Sequence, residues 1–217
     1  MQQLLKPDVV TAKLYIMEER KNVYQVYNKI GDWFAENRPK NLMEKKYLDQ
    51  LIALLPLKAE VLDLGCGTGE PIFGYLLDQD FQVTGLDESE KMIALAKENF
   101  PHAQFIKADM RSMSLNKKFD AIIAWHSFFH LPAGDQPNMF NVFKDHLNPG
   151  GVLIFTSGTN YGEAWGMNGG ENLFHASLDT ETYQTLLDLN GFKVLTHVAN
   201  DPECGNATVW VAQQIVK

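Results

Sequence analysis

The chain has 217 residues, of which 45% are hydrophobic and 21% charged, and its formal net charge is −8. That length fits one sizeable α/β domain with room for a small appendage, and the composition excludes the disordered and membrane classes. The acidic balance argues against a nucleic-acid partner, because tracking phosphates takes clustered Lys and Arg, and the pairs Lys45-Lys46 and Lys117-Lys118 are too short to supply them. The longest strongly apolar run, 51–57, is far shorter than a bilayer span and holds Pro56. Residues 1–10 lack the apolar core of a signal peptide, so a cytoplasmic location is expected. Cys66 and Cys204 offer neither a disulfide framework nor metal-ligand spacing.

In chain order, residues 8–37 read as a helix with apolar or aromatic positions at Val9, Leu14, Met17, Tyr24, Tyr27, Ile30, Trp33 and Phe34, and with Gly31 as the residue that would interrupt it. Most of these side chains suit packing against a sheet. Trp33 and Arg38 are also ligand candidates, since an aromatic face attracts a cation by ~0.5–2 kcal/mol and a guanidinium forks onto a carboxylate. A second helix carries Tyr47, Leu48, Leu51, Ile52 and Leu55 on one face and stops at Pro56.

The next stretch is the most informative. Val61-Leu62-Asp63-Leu64 alternates as a short buried strand and breaks into Gly65-Cys66-Gly67-Thr68-Gly69-Glu70. Glycines at alternate positions let the backbone approach a ligand. The spacing is not the G-x-G-x-x-G of a dinucleotide fold, and without lysine it is no Walker loop. It reads as a pocket for a nucleoside without a charged phosphate, or as a plain β–α turn.

A helix from Ile72 to Leu77 leads to a strand, Phe81 to Leu86, that ends in Asp87-Glu88. An acid about 20 residues past a glycine loop, at the carboxyl end of the next strand, can accept both ribose hydroxyls; as plain structure it would cap the following helix. Ser89 supplies that cap, with Met92 in the first turn, and the helix 90–99 precedes a strand, Gln104 to Ala108, ending in Asp109-Met110. Phe119 to Ala124 is nearly all apolar, as a parallel strand covered on both faces should be. It runs into Trp125-His126-Ser127-Phe128-Phe129-His130-Leu131-Pro132, at the sheet edge where doubly wound folds bind ligands. His130 is a general-base candidate by its ordinary pKa, or a histidine bonded to backbone; with His126 it makes a poor metal site.

A helix at 135–147 and the turn Leu147-Asn148-Pro149-Gly150-Gly151 precede a strand, Val152 to Thr156. Residues 157–177 read as a long glycine-rich insertion whose Tyr161, Trp165, Phe174 and His175 suit a segment covering an apolar or aromatic acceptor. A last helix runs from Asp179 or Thr180 to Asn190-Gly191, and Phe192 to Ala199 and Ala207 to Ile215 alternate as two closing strands.

Several of these motifs resemble those of the class I S-adenosylmethionine-dependent methyltransferases: D-L-G-C-G-T-G at 63–69, Phe119-Asp120 opening a strand, Phe128-Phe129-His130-Leu131 echoing L-x-H-L, and Asn148-Pro149-Gly150-Gly151 with Asn in place of the usual Lys. The stretch 27–38 resembles the family's Y-D-x-x-A-x-x-Y/F segment but departs from it at Gly31 and Trp33. The resemblance implies a Rossmann-like, doubly wound, seven-stranded and mostly parallel sheet with a C-terminal antiparallel strand and helices on both faces. It implies N-terminal helices over residues 1–56 covering the cofactor site of a core at 57–217, with a substrate-covering insertion at about 157–178.

It implies further that Asp63, Gly65, Cys66, Gly67, Thr68 and Gly69 hold the methionine part of S-adenosyl-L-methionine. Asp87 would take the ribose, with Glu88, Ser89 and Met92 beside it, and Asp109 and Met110 the adenine. Ala124, Trp125 and His126 would lie along the reactive side, with Trp33 and Arg38 reaching in from the N-terminal helices. His130 is the catalytic candidate, and Tyr161, Trp165 and His175 are the substrate candidates. The expected reaction transfers a methyl group to an O or N atom, less readily C, of a small-molecule acceptor, leaving S-adenosyl-L-homocysteine, with no metal, nucleic acid or membrane involved. No N/D-P-P-Y/F motif follows the fourth strand, which argues against methylation of adenine in DNA or of glutamine side chains. The competing classes are a non-catalytic nucleoside-binding protein on the same fold and an NAD-dependent oxidoreductase.

Overall fold

A computed structural model describes residues 19–216. The expected helical positions Val9, Leu14 and Met17 lie outside them. Within them, the first helix is not continuous: a helical turn at 19–21 ends, and α1 (Tyr24–Asn37) begins after the chain turns at Asn22-Val23, where Val23 is buried in the core. Gly31 does not interrupt α1. A Cβ there would lie 2.4 Å from Lys91 Cγ, so the glycine is what lets α1 press against the start of a later helix, α4.

The remaining helices are α2 (Lys45–Ile52), α3 (Ile72–Asp78), α4 (Glu90–Asn99), α5 (Gln136–His146) and α6 (Thr180–Leu189). The strands are β1 (Glu60–Leu64), β2 (Gln82–Asp87), β3 (Gln104–Lys107), β4 (Phe119–Ala124), β5 (Leu147–Ser157), β6 (Gly162–Asn168), β7 (Glu171–Ser177), β8 (Phe192–Asp201) and β9 (Ala207–Gln214). Seven strands make one sheet in the order β3-β2-β1-β4-β5-β9-β8, parallel except for β9, which runs antiparallel to both its neighbours. This is the expected doubly wound sheet. No helix among the described residues is long and apolar enough to cross a membrane.

Period-two alternation divides each central strand between two cores. Leu62, Ile122, Leu153 and Phe155 pack with Phe128, Phe140, Tyr183 and Trp210 on one face, while Val61, Ile123, Val152 and Ile154 pack with Tyr47, Leu51, Phe73 and Leu76 on the other. The strand order reverses between β1 and β4, and in such sheets the crevice outside the carboxyl ends at that point is where ligands settle. The turn expected at 147–151 is taken into β5 as a register shift between Phe119↔Leu147 and Ala121↔Val152.

The insertion departs from its reading as a loop. Residues 162–177 form a β-hairpin, β6 on β7, with Trp165 opposite Phe174. Leu173, Phe174 and Ala176 of β7 are buried in the main core, which is what holds the hairpin down, while Tyr161 and Met167 are about 70% exposed.

Ser89 takes its capping place at α4. Its hydroxyl accepts from Met92 N at 3.2 Å and donates to Asn28 Oδ1 on α1 at 2.8 Å, so one side chain both caps α4 and ties it to α1. Ser89→Ala should lower stability by ~1 kcal/mol, read as a drop of roughly 2–4 °C in melting temperature for a chain of this size.

Candidate functional site

The glycine loop is built around one carbonyl. The N–H groups of Gly65 and Cys66 both donate to Leu86 O, at 2.7 and 3.0 Å, which closes the end of β1 onto the end of β2. Gly65 has φ 77°, and a Cβ on it would sit 2.2 Å from Ser127 Cβ, so the position is closed to every other residue. Ser127 holds its place by donating to Leu64 O at 2.6 Å. Two residues on, Gly67 N donates to Asp87 Oδ2 at 3.0 Å, while Asp87 Oδ1 accepts from Ser89 N at 2.8 Å. The strand-end acid and the loop are thus one unit.

They open on a cavity that is partly open to solvent. Asp63, Gly65, Cys66, Gly67, Gly69, Asp87, Glu88, Met92, Asp109, Met110, Trp125, His126, His130 and Arg38 all line it. Thr68, Ser89 and Ala124 do not. They are buried behind the wall, where Thr68 O accepts from Asn99 Nδ2, Ser89 caps α4, and Ala124 packs in the core.

Trp33 is placed away from the cavity. It is 41% exposed and lies against the Gly169 turn of the hairpin, because one residue of α1 separates it from the cavity-facing Phe34 and turns it by about 100°. The substrate candidates are divided: Tyr161 and His175 line a shallow hollow with Phe129 beside the hairpin, whereas Trp165 covers Phe174 at 5.1 Å. Tyr27, Phe34, Ser127 and Leu131 also line the cavity, none of them singled out from sequence. For α1 a signal existed: Tyr27, Phe34 and Arg38 are spaced i, i+7, i+11, one helical face.

The cavity's electrostatics are dominated by burial. Desolvation pushes the Asp63 carboxyl up to about 7, with Arg38 opposing and Asp87 adding to the shift. It also raises Asp87, against the hydrogen bonds from Ser89 and Gly67, and pushes Glu88 up to about 7 with help from Asp109. No described residue donates a hydrogen bond to the Asp63 carboxylate, although it is only 4% exposed. Asp109 is already engaged by Arg111 through Nε at 2.9 Å to both of its oxygens. Arg38 donates from Nε to Glu70 O at 2.9 Å and reaches Glu44 at 3.5 Å.

On the opposite wall, His130 is locked. Its Nδ1 lies 2.8 Å from Phe174 O, which can only accept, so Nδ1 carries the proton. Burial drives its pKa down to about 3, so the ring is neutral and the bare Nε2 accepts from the Tyr27 hydroxyl at 2.9 Å. Both nitrogens are committed, which argues against the general-base role expected of His130. His126 differs: its backbone takes φ 49° and is anchored by N–H donation to Thr156 Oγ1 at 2.9 Å, and its ring, held neutral by burial at a pKa of about 4, stands between Trp125 and Phe129. Among the described residues no cluster of three or more His, Cys, Asp or Glu could hold a metal ion.

Residues 61–151 match a family model described as a methyltransferase domain. Trans-aconitate 2-methyltransferase of Escherichia coli (strain 55989 / EAEC) is 37% identical over 144 residues, covering 61% of this chain and 53% of that enzyme. The chain spans about half the length of the curated relatives it matches. Among solved structures, S-adenosylmethionine-bound CalS10, an amino pentose methyltransferase from Micromonospora echinaspora, superposes with a TM-score of 0.65 at 18% identity over 99% of this chain and 100% of that one. The glycopeptide N-methyltransferase MtfA in complex with S-adenosylhomocysteine gives a TM-score of 0.62 at 18% identity over 82% of this chain and 91% of that one. At such identities the likeness is one of fold.

Proposed function

Because this chain carries a class I S-adenosylmethionine-dependent methyltransferase domain, we propose that it binds S-adenosylmethionine in the switch-point cavity and transfers its methyl group to an oxygen or nitrogen atom of a small-molecule acceptor. The observation that carries the reading is the joined unit of glycine loop and Asp87. Asp87 uses one hydrogen bond on each oxygen, and a carboxylate with about four lone-pair sites keeps two for a pair of ribose hydroxyls.

The residues fit the rest of that ligand. Asp63, buried with no hydrogen-bond donor to its carboxylate among the described residues, suits an ammonium group beside the loop. Asp109 and Met110 stand past Asp87 for a base edge and ring face. The cofactor, when bound, supplies a methyl group on a good leaving group. What the protein must add is alignment and exclusion of water, which proximity can make worth up to ~7–11 kcal/mol. The residues before β1 would cover the cofactor, with α1 as a wall of its cavity, and the hairpin would cover the acceptor, entering past His126, Phe129 and His175. With His130 committed, a nucleophile that gives up its proton after transfer would pass it to water or to His126. CalS10 and MtfA, named for an amino pentose and a glycopeptide nitrogen, and the relative named for trans-aconitate support a small-molecule acceptor without choosing its class.

The test is titration calorimetry with S-adenosylmethionine, S-adenosylhomocysteine and NAD, followed by transfer of labelled methyl to panels of amines, hydroxy compounds and carboxylates. Binding of the first two and not of NAD, with label reaching one panel, is the expected result. Binding without transfer to any panel would favour the non-catalytic nucleoside-binding reading, and binding of NAD alone would overturn the proposal.

A further inference from the structure

We infer that His126 is a catalytic residue, the group that takes the proton released by the acceptor, and that the acceptor is a hydroxy compound methylated on oxygen. The inference rests on the methyl-transfer reading and deepens it by choosing among the acceptor classes it leaves open.

Three observations lead to it. The first is that the His126 ring is unclaimed. Neither of its nitrogens makes a hydrogen bond with a described residue, whereas both nitrogens of His130 are committed. The second is how the ring is held. His126 takes a left-handed φ of 49° just past the end of β4, and its N–H is fixed on Thr156 Oγ1 of the neighbouring β5; a non-glycine residue kept in that region beside a ligand cavity marks a backbone bent to aim a side chain. The third is location. His126 lines the cavity, and its ring meets, at 5.6 Å, that of Phe129, which with Tyr161 and His175 lines the hollow beside the hairpin. A molecule lying over the hollow meets this imidazole where it reaches into the cavity.

Proton bookkeeping decides which acceptor such a base serves. In the transfer an oxygen lone pair forms the new O–CH3 bond, the S–CH3 bond breaks with its electron pair going to sulfur, and the sulfonium becomes a thioether. The methylated oxygen is then an oxonium, a far stronger acid than imidazolium. Its proton passes to the bare nitrogen of the neutral His126 ring and from there to water. One positive charge leaves sulfur as one arrives on the imidazole, so the charge of the cavity is unchanged by the step. That balance matters because burial, Arg38 and His175 all resist an imidazolium at this position. An amine gains nothing from so weak a base: its methylated product is a stable ammonium, and an amine that arrives protonated holds its proton at about 10, against about 4 for this ring. A carboxylate has no proton to give up, and the hollow it would cross has no Lys or Arg among its described lining residues and one acid, Glu163.

The experiment follows labelled methyl from S-adenosylmethionine into matched panels of hydroxy compounds, amines and carboxylates, for the wild type, His126→Asn and His126→Gly, with and without added imidazole. Asparagine and glycine both tolerate the left-handed backbone, and rates are compared at saturating S-adenosylmethionine so that weaker cofactor binding does not enter. Label should reach the hydroxy panel. On the accepted compound both variants should lose roughly 100- to 10,000-fold in kcat, the usual share of general acid–base catalysis, with the acceptor's KM little changed. Imidazole should restore His126→Gly, where the missing ring leaves it room, by about tenfold or more, and leave His126→Asn as it is. A histidine that only packs shows no such rescue. Should His126→Gly fail to fold, the split between kcat and KM in His126→Asn decides. Label reaching amines or carboxylates without hydroxy compounds overturns the inference and leaves the methyl-transfer reading standing. So does a kcat within roughly threefold of wild type in both variants, well short of a lost general base, or a loss in His126→Gly that imidazole does not relieve. S-Adenosylmethionine bound with no label in any panel overturns the inference together with methyl transfer, and a wild type that does not bind it overturns the methyl-donor reading as well.

Discussion

Asp87→Ala should weaken binding of S-adenosylmethionine and of S-adenosylhomocysteine together, by roughly 100-fold or more, with the chain still folded. Hydrogen bonds to a charged group contribute ~1.5–3 kcal/mol each, and the variant loses those to both ribose hydroxyls at once. It also releases Gly67 N, whose 3.0 Å bond to Asp87 Oδ2 holds the loop in the shape that meets the ligand. The two losses separate in Asp87→Asn. Its amide oxygen can still accept from one backbone N–H while its amide nitrogen cannot accept from the ribose, so affinity should fall nearly as far with the loop less disturbed. Stability should change little, because the same substitution relieves a carboxylate that burial holds above its ordinary pKa while removing two of its bonds. Calorimetry on the folded variants checks this. Unchanged affinity in Asp87→Ala would place the ligand's sugar elsewhere and take the proposed function with it.

The strand-end side of the site was legible because its signals are local. A period-two apolar run followed by a glycine or an acid places that residue at the carboxyl end of a strand, and the strand order puts the ends of β1, β2 and β4 beside one another. Asp63, Asp87, Asp109 and His126 meet around one cavity for that reason. Thr68, Ser89 and Ala124 belong to the same motifs but support the wall from behind, a distinction that depends on side-chain direction within a turn.

The hairpin and the histidine were not legible, for a different reason. β6 shows most of its surface to solvent and is broken by glycine, so its alternation carries little hydrophobic contrast; only its register against the buried Phe174 makes it a strand. The role of His130 depends on Tyr27, 103 residues away, and on Phe174, 44 residues away. Nothing within Phe128-Phe129-His130-Leu131 indicates that both ring nitrogens will be occupied. Trp33 and Phe34 are adjacent aromatics on one helix, and which of them faces the cavity was decided by how α1 is seated on α4 through Gly31.

Asp63→Asn should stabilise the free protein and weaken its hold on the ligand, each with its own pH dependence. An unfolded aspartate titrates near 3.9, whereas burial lifts Asp63 to about 7 in the fold. Between those values the folded state holds a proton that the unfolded state has released, so stability falls as pH rises through this window. Below the unfolded value Asp63 adds no penalty; above about 7 the penalty is complete, at most ~4 kcal/mol at 1.36 kcal/mol per pH unit. Asparagine stays neutral throughout. The difference in melting temperature between variant and wild type should therefore be near zero at about pH 4 and grow to several degrees by pH 8, at roughly 2–4 °C per kcal/mol for a chain of this size. Asp87 and Glu88 are common to both proteins and drop out of the difference to first order. Binding runs the other way: an ammonium group needs the ionised carboxylate, so wild-type affinity for S-adenosylhomocysteine should rise by up to tenfold per pH unit on approaching about pH 7 from below and then level off. In Asp63→Asn the affinity should be lower at pH 8 and nearly flat across this range. A variant whose melting curve follows the wild type at every pH would mean that the buried carboxylate is solvated in the free cavity, and an affinity with the wild-type pH profile would move the ammonium away from Asp63.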